Sequence, residues 1–529
     1  MRTFHSYGPV DREEHYYVER KELVDQCAKQ LVGNIEKGGH YFTIWGARQT
    51  GKTWLYRQSM EKIKQQYADQ YIIGELSMQG IALKKNDDPV EIFFENIPGM
   101  FRSEFSIQTD KCQSWTNWKE FFSKDFGIFG RPLILIIDEF DKLPKDLIDT
   151  LISLFRDMYL NSRQYMLHGL ALVGVRAVLG VENKSGSPFN IQRSLHIENL
   201  SLDEVKSMFD QYQEESTQNI APGVVEKIYE KTQGQPGLVG WFGELLTEKF
   251  NQEPDKSIDM KLWDRVYLKA CEIEHNNTVR NIITKASDKY ISDVIQLFTD
   301  ANIHFTFDYD WCNYMYMHGI ITYVEDDRGS CHICRFSSPF IQTRLYNAFI
   351  GKIKENKDRS ILALEPLDTL DDVFNGTELN IPALLKRYKN FLKRMKDQGE
   401  NPWKDQPIRK SDYHLTEAVG HFHLYHWLNM ALRKRCVIRP EFPTGNGKVD
   451  LHLLCKNGQK GLIEVKSFVN AYEVKEAISQ AVKYASITDH KSISIAMFAP
   501  FTDEKILDQL SVTNRIDDIT VNIVAIGQG

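Results

Sequence analysis

Three short stretches carry residues whose types and spacing could do chemistry. "GARQTGKT" fits G-x-x-x-x-G-K-[ST] at Gly46, Gly51, Lys52 and Thr53. In such a loop the glycines let backbone N–H groups curl round phosphates. The lysine reaches the β- and γ-phosphates of ATP, and the hydroxyl sits on Mg²⁺. "RPLILIIDEFDKL" runs an apolar stretch, Leu133 to Ile137, into Asp138 and Glu139. Asp138 is expected to hold the Mg²⁺ shell and Glu139 to polarise an attacking water. Much later, "GLIEVKSF" places Glu464 and Lys466 two apart, and Asp450 precedes them in "TGNGKVDLHLLC". Two carboxylates and a lysine meeting at one place suit metal-assisted hydrolysis of a phosphodiester. Asp450 and Glu464, with the Val465 carbonyl, offer hard oxygen ligands to Mg²⁺ or Mn²⁺, and Lys466 can orient the water or stabilise the phosphorane.

These residues need particular elements to hold them. "YFTIW", before the first loop, is aromatic and β-branched and reads as a strand. "WLYRQSMEKIKQQY", after it, has helical composition without Gly or Pro. The loop therefore joins a strand to a helix N-terminus, a ready anion site. The unbroken run at Leu133 suits a parallel strand covered on both faces. In the tail, the helix-like "HLTEAVGHFHLYHWLNMALRK" precedes the strand-like "CVIRPEF". The Asp450 strand, the turn "KNGQ" and the Glu464/Lys466 strand follow. Residues two apart on a strand share a face, so Glu464 and Lys466 point together and Asp450 can sit beside them. The plainer alternative is an E-V-K alternation whose charges face solvent. His414, His421, His423 and His426 contain no i, i+4 pair and read as packing.

Bulk properties set the frame. A chain of 529 residues allows three or four domains. Its 42% hydrophobic and 26% charged content is that of a soluble globular protein. No apolar run reaches the ~18 residues that span a bilayer, and "MRTFHSYGPVDREEHYY" has no signal-peptide core. A cytoplasmic protein with no membrane partner is expected. A net charge of −7 excludes a global polycation, so any nucleic-acid surface must be local. The eight scattered cysteines fit a reducing compartment. Cys331 and Cys334, in "CHIC", read as two cysteines of a small hairpin, because Cys312 and His318 supply no second recognisable pair for zinc.

Between the two chemistries lie a helical region from Leu202 to about Lys249 and then a helix followed by "GIITYVE" and "CHICRF" flanking "DDRGS". A helix and a two-stranded hairpin make the layout of a winged helix. Glu325, Asp326 and Asp327 at its tip repel phosphate, which favours packing over DNA binding. "ALLKRYKNFLKRMK" carries Lys386, Arg387, Lys389, Lys393, Arg394 and Lys396. It reads as a solvated face, with a phosphate-tracking surface as the sharper alternative. "DQGENPWKDQP" reads as a linker.

Asp138-Glu139 resembles the Walker B element of AAA-related and STAND-type ATPases. "YYVERKEL", Tyr16 to Leu23, resembles the segment preceding their phosphate loop. Arg176, in the apolar "GLALVGVRAV", stands where many of them place a γ-phosphate sensor. Gly234-Gln235-Pro236 resembles their G-x-P motif near the adenine. The order holds over roughly residues 15 to 245. The tail, about 410 to 529, resembles the PD-(D/E)xK, restriction-endonuclease-like nucleases, with Val449-Asp450 for the leading pair. Gln480 and Tyr484 resemble their Q-x-x-x-Y, and Glu417 matches an acidic residue that completes their metal site.

The resemblance implies an α/β fold: a P-loop ATPase core (1–200), a helical lid (201–265), a winged helix (266–350), a basic helical linker (351–409) and an α/β restriction-endonuclease-like domain (410–529). It implies an ATP- and Mg²⁺-dependent nuclease acting on nucleic acid, DNA favoured over RNA, and by analogy prokaryotic defence. A homo-oligomer or a triggering partner protein is expected. The alternatives are a mobile-element or DNA-remodelling ATPase with a nicking tail, and a nucleotide-gated nucleic-acid-binding protein that does not cut.

Overall fold

Apolar runs without alternation become the middle of a parallel sheet in the N-terminal half. The structure, a computed structural model, describes residues 1–81, 87–109, 112–174, 194–298, 303–325, 329, 331–355, 362–403, 417–433, 435–441, 450–468, 471–487 and 490–528. Strands β1 (Tyr41–Trp45), β2 (Ile72–Ser77), β3 (Leu133–Asp138), β4 (Leu167–Gly174) and β5 (Leu195–His196) form a sheet of order β2-β3-β4-β1-β5. Its pairings are all parallel. Leu133, Leu135 and Ile137 pack on one side with Phe93, Phe101 and Trp118. Ile134 and Ile136 pack on the other with Leu31, Leu55 and Ile63. Two covered faces are why these strands read as continuous apolar runs.

The chain divides into two compact units, the first comprising 1–285, 306–321 and 337–342, the second 286–305, 322–336 and 343–529. In the first, helices Leu202–Ser216, Val224–Thr232, Pro236–Glu244 and Met260–Glu272 follow the sheet. The opening helix starts at a capping box, Ser201 with Glu204, which satisfies two otherwise orphaned N–H groups. The stretch expected as a winged helix contains helix Asp310–Met317 and then paired strands β6 (Ile321–Glu325) and β7 (His332–Phe336). It is shared between the units rather than forming one of its own. Glu325 ends β6, whereas Asp326 and Asp327 lie outside the described residues.

The second unit holds a six-stranded sheet of order β12-β13-β11-β10-β9-β8. Its strands are β8 (Cys436–Glu441), β9 (Asp450–Cys455), β10 (Lys460–Ser467), β11 (Ser492–Ala499), β12 (Thr513–Ile516) and β13 (Ile519–Gly527). β8, β9 and β10 run antiparallel, β10, β11 and β13 run parallel, and β12 is an antiparallel edge. Helix Glu417–Leu432 shares a core with Ile463, Val465 and Phe498. Helix Ala471–Ile487 covers the opposite face through Ala477, Ala481 and Ala485 against Leu462, Ile495 and Met497.

Two expectations are corrected here. The basic segment is not a linker. Helix Ile381–Asp397 buries Ile381, Leu384, Leu385, Tyr388 and Phe391 in the sheet core. Several of its cations are also engaged by carboxylates. Arg387 bonds Asp368 at 2.6 Å and Asp372 at 2.6 Å, Arg394 bonds Glu365 at 2.5 Å, and Lys389 lies 3.6 Å from Glu504. That removes the phosphate-tracking reading for those residues. The cysteines are also not all thiols, because Cys436 and Cys455, directly opposed on β8 and β9, form a disulfide. Their separation of 19 residues hid the pairing in the sequence.

Candidate functional site

The first site lies at the C-terminal ends of β1 and β3, which flank β4. In open parallel sheets this edge is where ligands bind. Gly46 follows β1 immediately, Gly51 turns the loop with φ 93°, and Lys52 begins helix Lys52–Tyr67. A Cβ at Gly46 would meet Thr50 Oγ1 at 2.9 Å and the Ile197 carbonyl at 3.1 Å, so the start of the loop has no room for a side chain. Lys52 Nζ donates to the carbonyls of Gly46 at 2.9 Å and Ala47 at 2.7 Å. The ammonium is thus folded onto its own loop. Burial lowers its pKa from 10.5 to about 8, although Asp141, Asp138 and Glu139 pull it back up. Incoming phosphates would supply the countercharge that burial denies it.

Thr53 Oγ1 donates to Asp138 Oδ2 at 3.4 Å. A hydroxyl and a carboxylate oxygen so close together are the hard-oxygen pair that a Mg²⁺ ion at a nucleotide takes, and the residues fit it. Asp138 Oδ1 accepts from the Glu139 N–H at 2.8 Å, and burial raises the Asp138 pKa. Glu139 has φ 54° and its carboxylate lies 3.5 Å from Lys142 Nζ. Left-handed backbone at a non-glycine residue is a strain that clusters at functional sites. The sequence reading missed Tyr56, whose hydroxyl lies 2.8 Å from Asp138 Oδ2 and 2.7 Å from Glu75 Oε1. Its signal was the spacing, because Thr53 and Tyr56 are i, i+3 neighbours on one helix face.

Pro236 opens helix Pro236–Glu244, and the residues around it seat that helix on the phosphate loop. Gln235 Nε2 donates to the Arg48 carbonyl at 2.9 Å, and the Gly237 N–H to the Gln49 carbonyl at 3.2 Å. Arg176 lies outside the described residues.

The second site is in the other unit. Asp450 and Glu464 are directly opposed in the β9–β10 register. The turn joining the strands has Gly458 at φ 86°. Lys466 Nζ lies 2.5 Å from Glu464 Oε1 and 3.8 Å from Glu417 Oε1. Glu464 and Lys466 are 3% and 8% exposed. A buried carboxylate and ammonium persist only when paired, so this contact accounts for both. Glu417 begins helix Glu417–Leu432. Asp450 is described in its backbone only. Among the described residues no three His, Cys, Asp or Glu side chains gather as a metal cage. Gln480 is exposed and Tyr484 partly buried on helix Ala471–Ile487. His421 and His423 bond the hydroxyls of Tyr346 at 2.9 Å and Tyr388 at 2.6 Å, while His414 lies outside the described residues. Cys334 is buried in β7 and donates to the His304 carbonyl at 3.6 Å. No described helix is long and apolar enough to cross a membrane.

Comparison with known proteins gives a family match in the N-terminal part of the chain. The family described as an AAA-like domain matches residues 5–253. With its parallel sheet and loop geometry, the N-terminal part is similar to an AAA-like, P-loop ATPase-type domain. Among solved structures, a Walker-type ATPase of Pyrococcus abyssi aligns at 15% identity and TM-score 0.44, over 65% of this chain and 99% of its own. Cdc6p of Pyrobaculum aerophilum aligns at 15% and 0.33, over 64% and 94%. The RuvB Holliday junction branch migration motor of Thermotoga maritima aligns at 15% and 0.33, over 60% and 92%. No curated protein matches the chain.

Proposed function

We propose that the chain is an ATP-regulated, metal-dependent nuclease, with an AAA-like domain governing a phosphodiesterase centre in its C-terminal sheet. One observation carries the reading. Asp450 is in direct register with Glu464, and Lys466 lies 2.5 Å from Glu464, in a chain that also has a phosphate loop beside Thr53 and Asp138. At the first centre, Lys52 binds the β- and γ-phosphates, Thr53 and Asp138 hold Mg²⁺, Glu139 orients water and Pro236 lies near the base. Arg176 is assigned to the γ-phosphate by resemblance. At the second, Asp450, Glu464 and Glu417 would hold Mg²⁺ or Mn²⁺ and Lys466 faces the phosphate. Gln480 and Tyr484 belong to the covering helix. A bound divalent ion stabilises charge on the phosphate and acidifies its water.

Residues 201–265 act as lid, and the helix–hairpin region around 266–350 as a winged helix that packs rather than grips DNA. The substrate is nucleic acid, DNA before RNA, and by analogy the setting is prokaryotic defence in the cytoplasm. A second copy or a partner protein triggers cleavage. The burial of Glu464 and Lys466 supports one second reading, in which the tail binds nucleic acid without cutting. Incubating the chain with DNA and with RNA, each with and without ATP and Mg²⁺, separates the two. Products that depend on Mg²⁺ support the nuclease. Binding without product in every condition refutes it.

A further inference from the structure

The Tyr56 hydroxyl lies between Asp138 Oδ2, at 2.8 Å, and Glu75 Oε1, at 2.7 Å. The tyrosine is fully buried at 0% exposure. No role in the reading above requires it, yet it touches the carboxylate on which that reading depends. We infer that Tyr56 is a positioning residue that holds Asp138 ready for the nucleotide's divalent cation. This rests on the reading of the N-terminal site as an ATP and Mg²⁺ site.

The local geometry is set by three elements. Thr53, Tyr56 and Arg57 are i, i+3 and i+4 on helix Lys52–Tyr67, so they occupy one stripe of it. Ser77 on β2 is opposite Asp138 on β3, and Glu75 is opposite Ile136. Glu75 and Asp138 are therefore on the same face of neighbouring strands, two residues out of step. The helix stripe lies against that pair. Arg57 Nε and Nη2 donate to Glu75 at 3.2 and 3.3 Å. The Glu75 N–H is itself held by Glu104 at 2.8 Å. Contacts thus run from Arg57 through Glu75 and Tyr56 to Asp138, and on to Thr53.

Asp138 is then fixed at both oxygens. Oδ1 takes the Glu139 N–H at 2.8 Å, and Oδ2 meets Tyr56 and Thr53. An aspartate has two side-chain torsions, and contacts at both oxygens restrain both. Without Tyr56, the contact left to Oδ2 among the described residues is the 3.4 Å one with Thr53, which is weak by hydrogen-bond standards. Groups that orient a metal ligand in this way typically change metal affinity by about 10- to 100-fold when removed.

The test is Tyr56→Phe in the full chain, which removes one oxygen and keeps the ring. The readout is the Mg²⁺ concentration that half-maximally slows release of a fluorescent ADP analogue, which involves no turnover. It should rise at least about tenfold, while analogue affinity in EDTA stays within about twofold, because Lys52 and the loop are untouched. A merely structural tyrosine would shift both together or neither. Tyr56→Phe also leaves two carboxylates facing each other, which could impair folding by itself. Tyr56→Phe combined with Glu75→Gln relieves that repulsion but still lacks the hydroxyl, so its Mg²⁺ requirement should stay raised. A wild-type Mg²⁺ requirement in Tyr56→Phe, or its return in the double variant, overturns the inference. A wild-type chain that binds no nucleotide at all is a distinguishable result, because it removes the ATP reading and the inference with it.

Discussion

Replacing Lys52 by methionine should change how stability depends on pH before it changes anything else. The ammonium is buried against the Gly46 and Ala47 carbonyls, with a pKa lowered from 10.5 to about 8. At about 1.4 kcal/mol per unit, that drop corresponds to roughly 3 kcal/mol. The figure is an upper bound, because Lys52 keeps some solvent contact. Below pH 8 the lysine is protonated folded and unfolded alike, so it contributes no slope. Between pH 8 and 10.5 the unfolded chain holds the proton more tightly. Stability of the nucleotide-free protein therefore rises with pH through that window. Lys52→Met has no proton to lose there, and its curve should lack this rise. ATP should flatten the wild-type curve in another way, because its phosphates restore the countercharge and return the pKa toward 10.5. The assay is urea denaturation from pH 7 to pH 10.5, with and without ATP, followed by hydrogen exchange in the Lys52–Tyr67 helix. Parallel curves for the wild type and Lys52→Met without nucleotide would refute the burial argument.

Glu139→Gln keeps Asp138 and Lys52, so ATP should still bind while turnover falls at least about a hundredfold, measured by phosphate release. At Gly237, a Cβ would fall 2.4 Å from Gln49 Oε1 and 2.8 Å from Gln49 Cβ. Gly237→Ala should therefore cost about 1–3 kcal/mol of overpacking and weaken ATP binding, read by titration calorimetry. Lys466→Ala leaves Glu464 buried without its 2.5 Å partner, and Asp450→Ala changes the residue directly opposed to it in register. Each should abolish cleavage in a gel assay while ATP affinity stays within about twofold.

What the sequence disclosed follows from which forces are local. The strand before Gly46, the buried strand ending at Asp138 and the helix after Thr53 were legible because periodicity and turn chemistry act within a few residues. The E-V-K strand and its opposed Asp450 were legible too, because a tight turn fixes register. Partners remote in sequence were not. Glu75 reaches Tyr56 only because β2 lies beside β3, and that neighbourhood comes from sheet order. Gln235 reaches Arg48 across 187 residues. The stretch from Lys386 to Lys396 looked like a free basic surface because sequence shows charge without its counterions. Its apolar positions at Leu384, Tyr388, Phe391 and Met395 keep helical spacing, and that signal argued for a packed helix. Cys436 and Cys455 became neighbours only once β8 and β9 were paired.

The phosphate loop is held by two segments that follow the sheet in the chain. Gln235 and Gly237 bond the carbonyls of Arg48 and Gln49. Gly319, at φ 70°, packs so closely that a Cβ there would stand 2.9 Å from Ala47 Cβ. A nucleotide that takes Lys52 away from the Gly46 and Ala47 carbonyls must rearrange the loop between these contacts. Close-packed neighbours do not absorb such a change without moving. Gly319 is two residues before β6, whose residues from Thr322 onward are counted with the second unit. Ala47 and Gly319 both belong to the first unit. A ligand shifts an equilibrium only by binding its two states differently. Ala47 against Gly319 is a contact that could differ between a loop closed on its own lysine and a loop closed on phosphate.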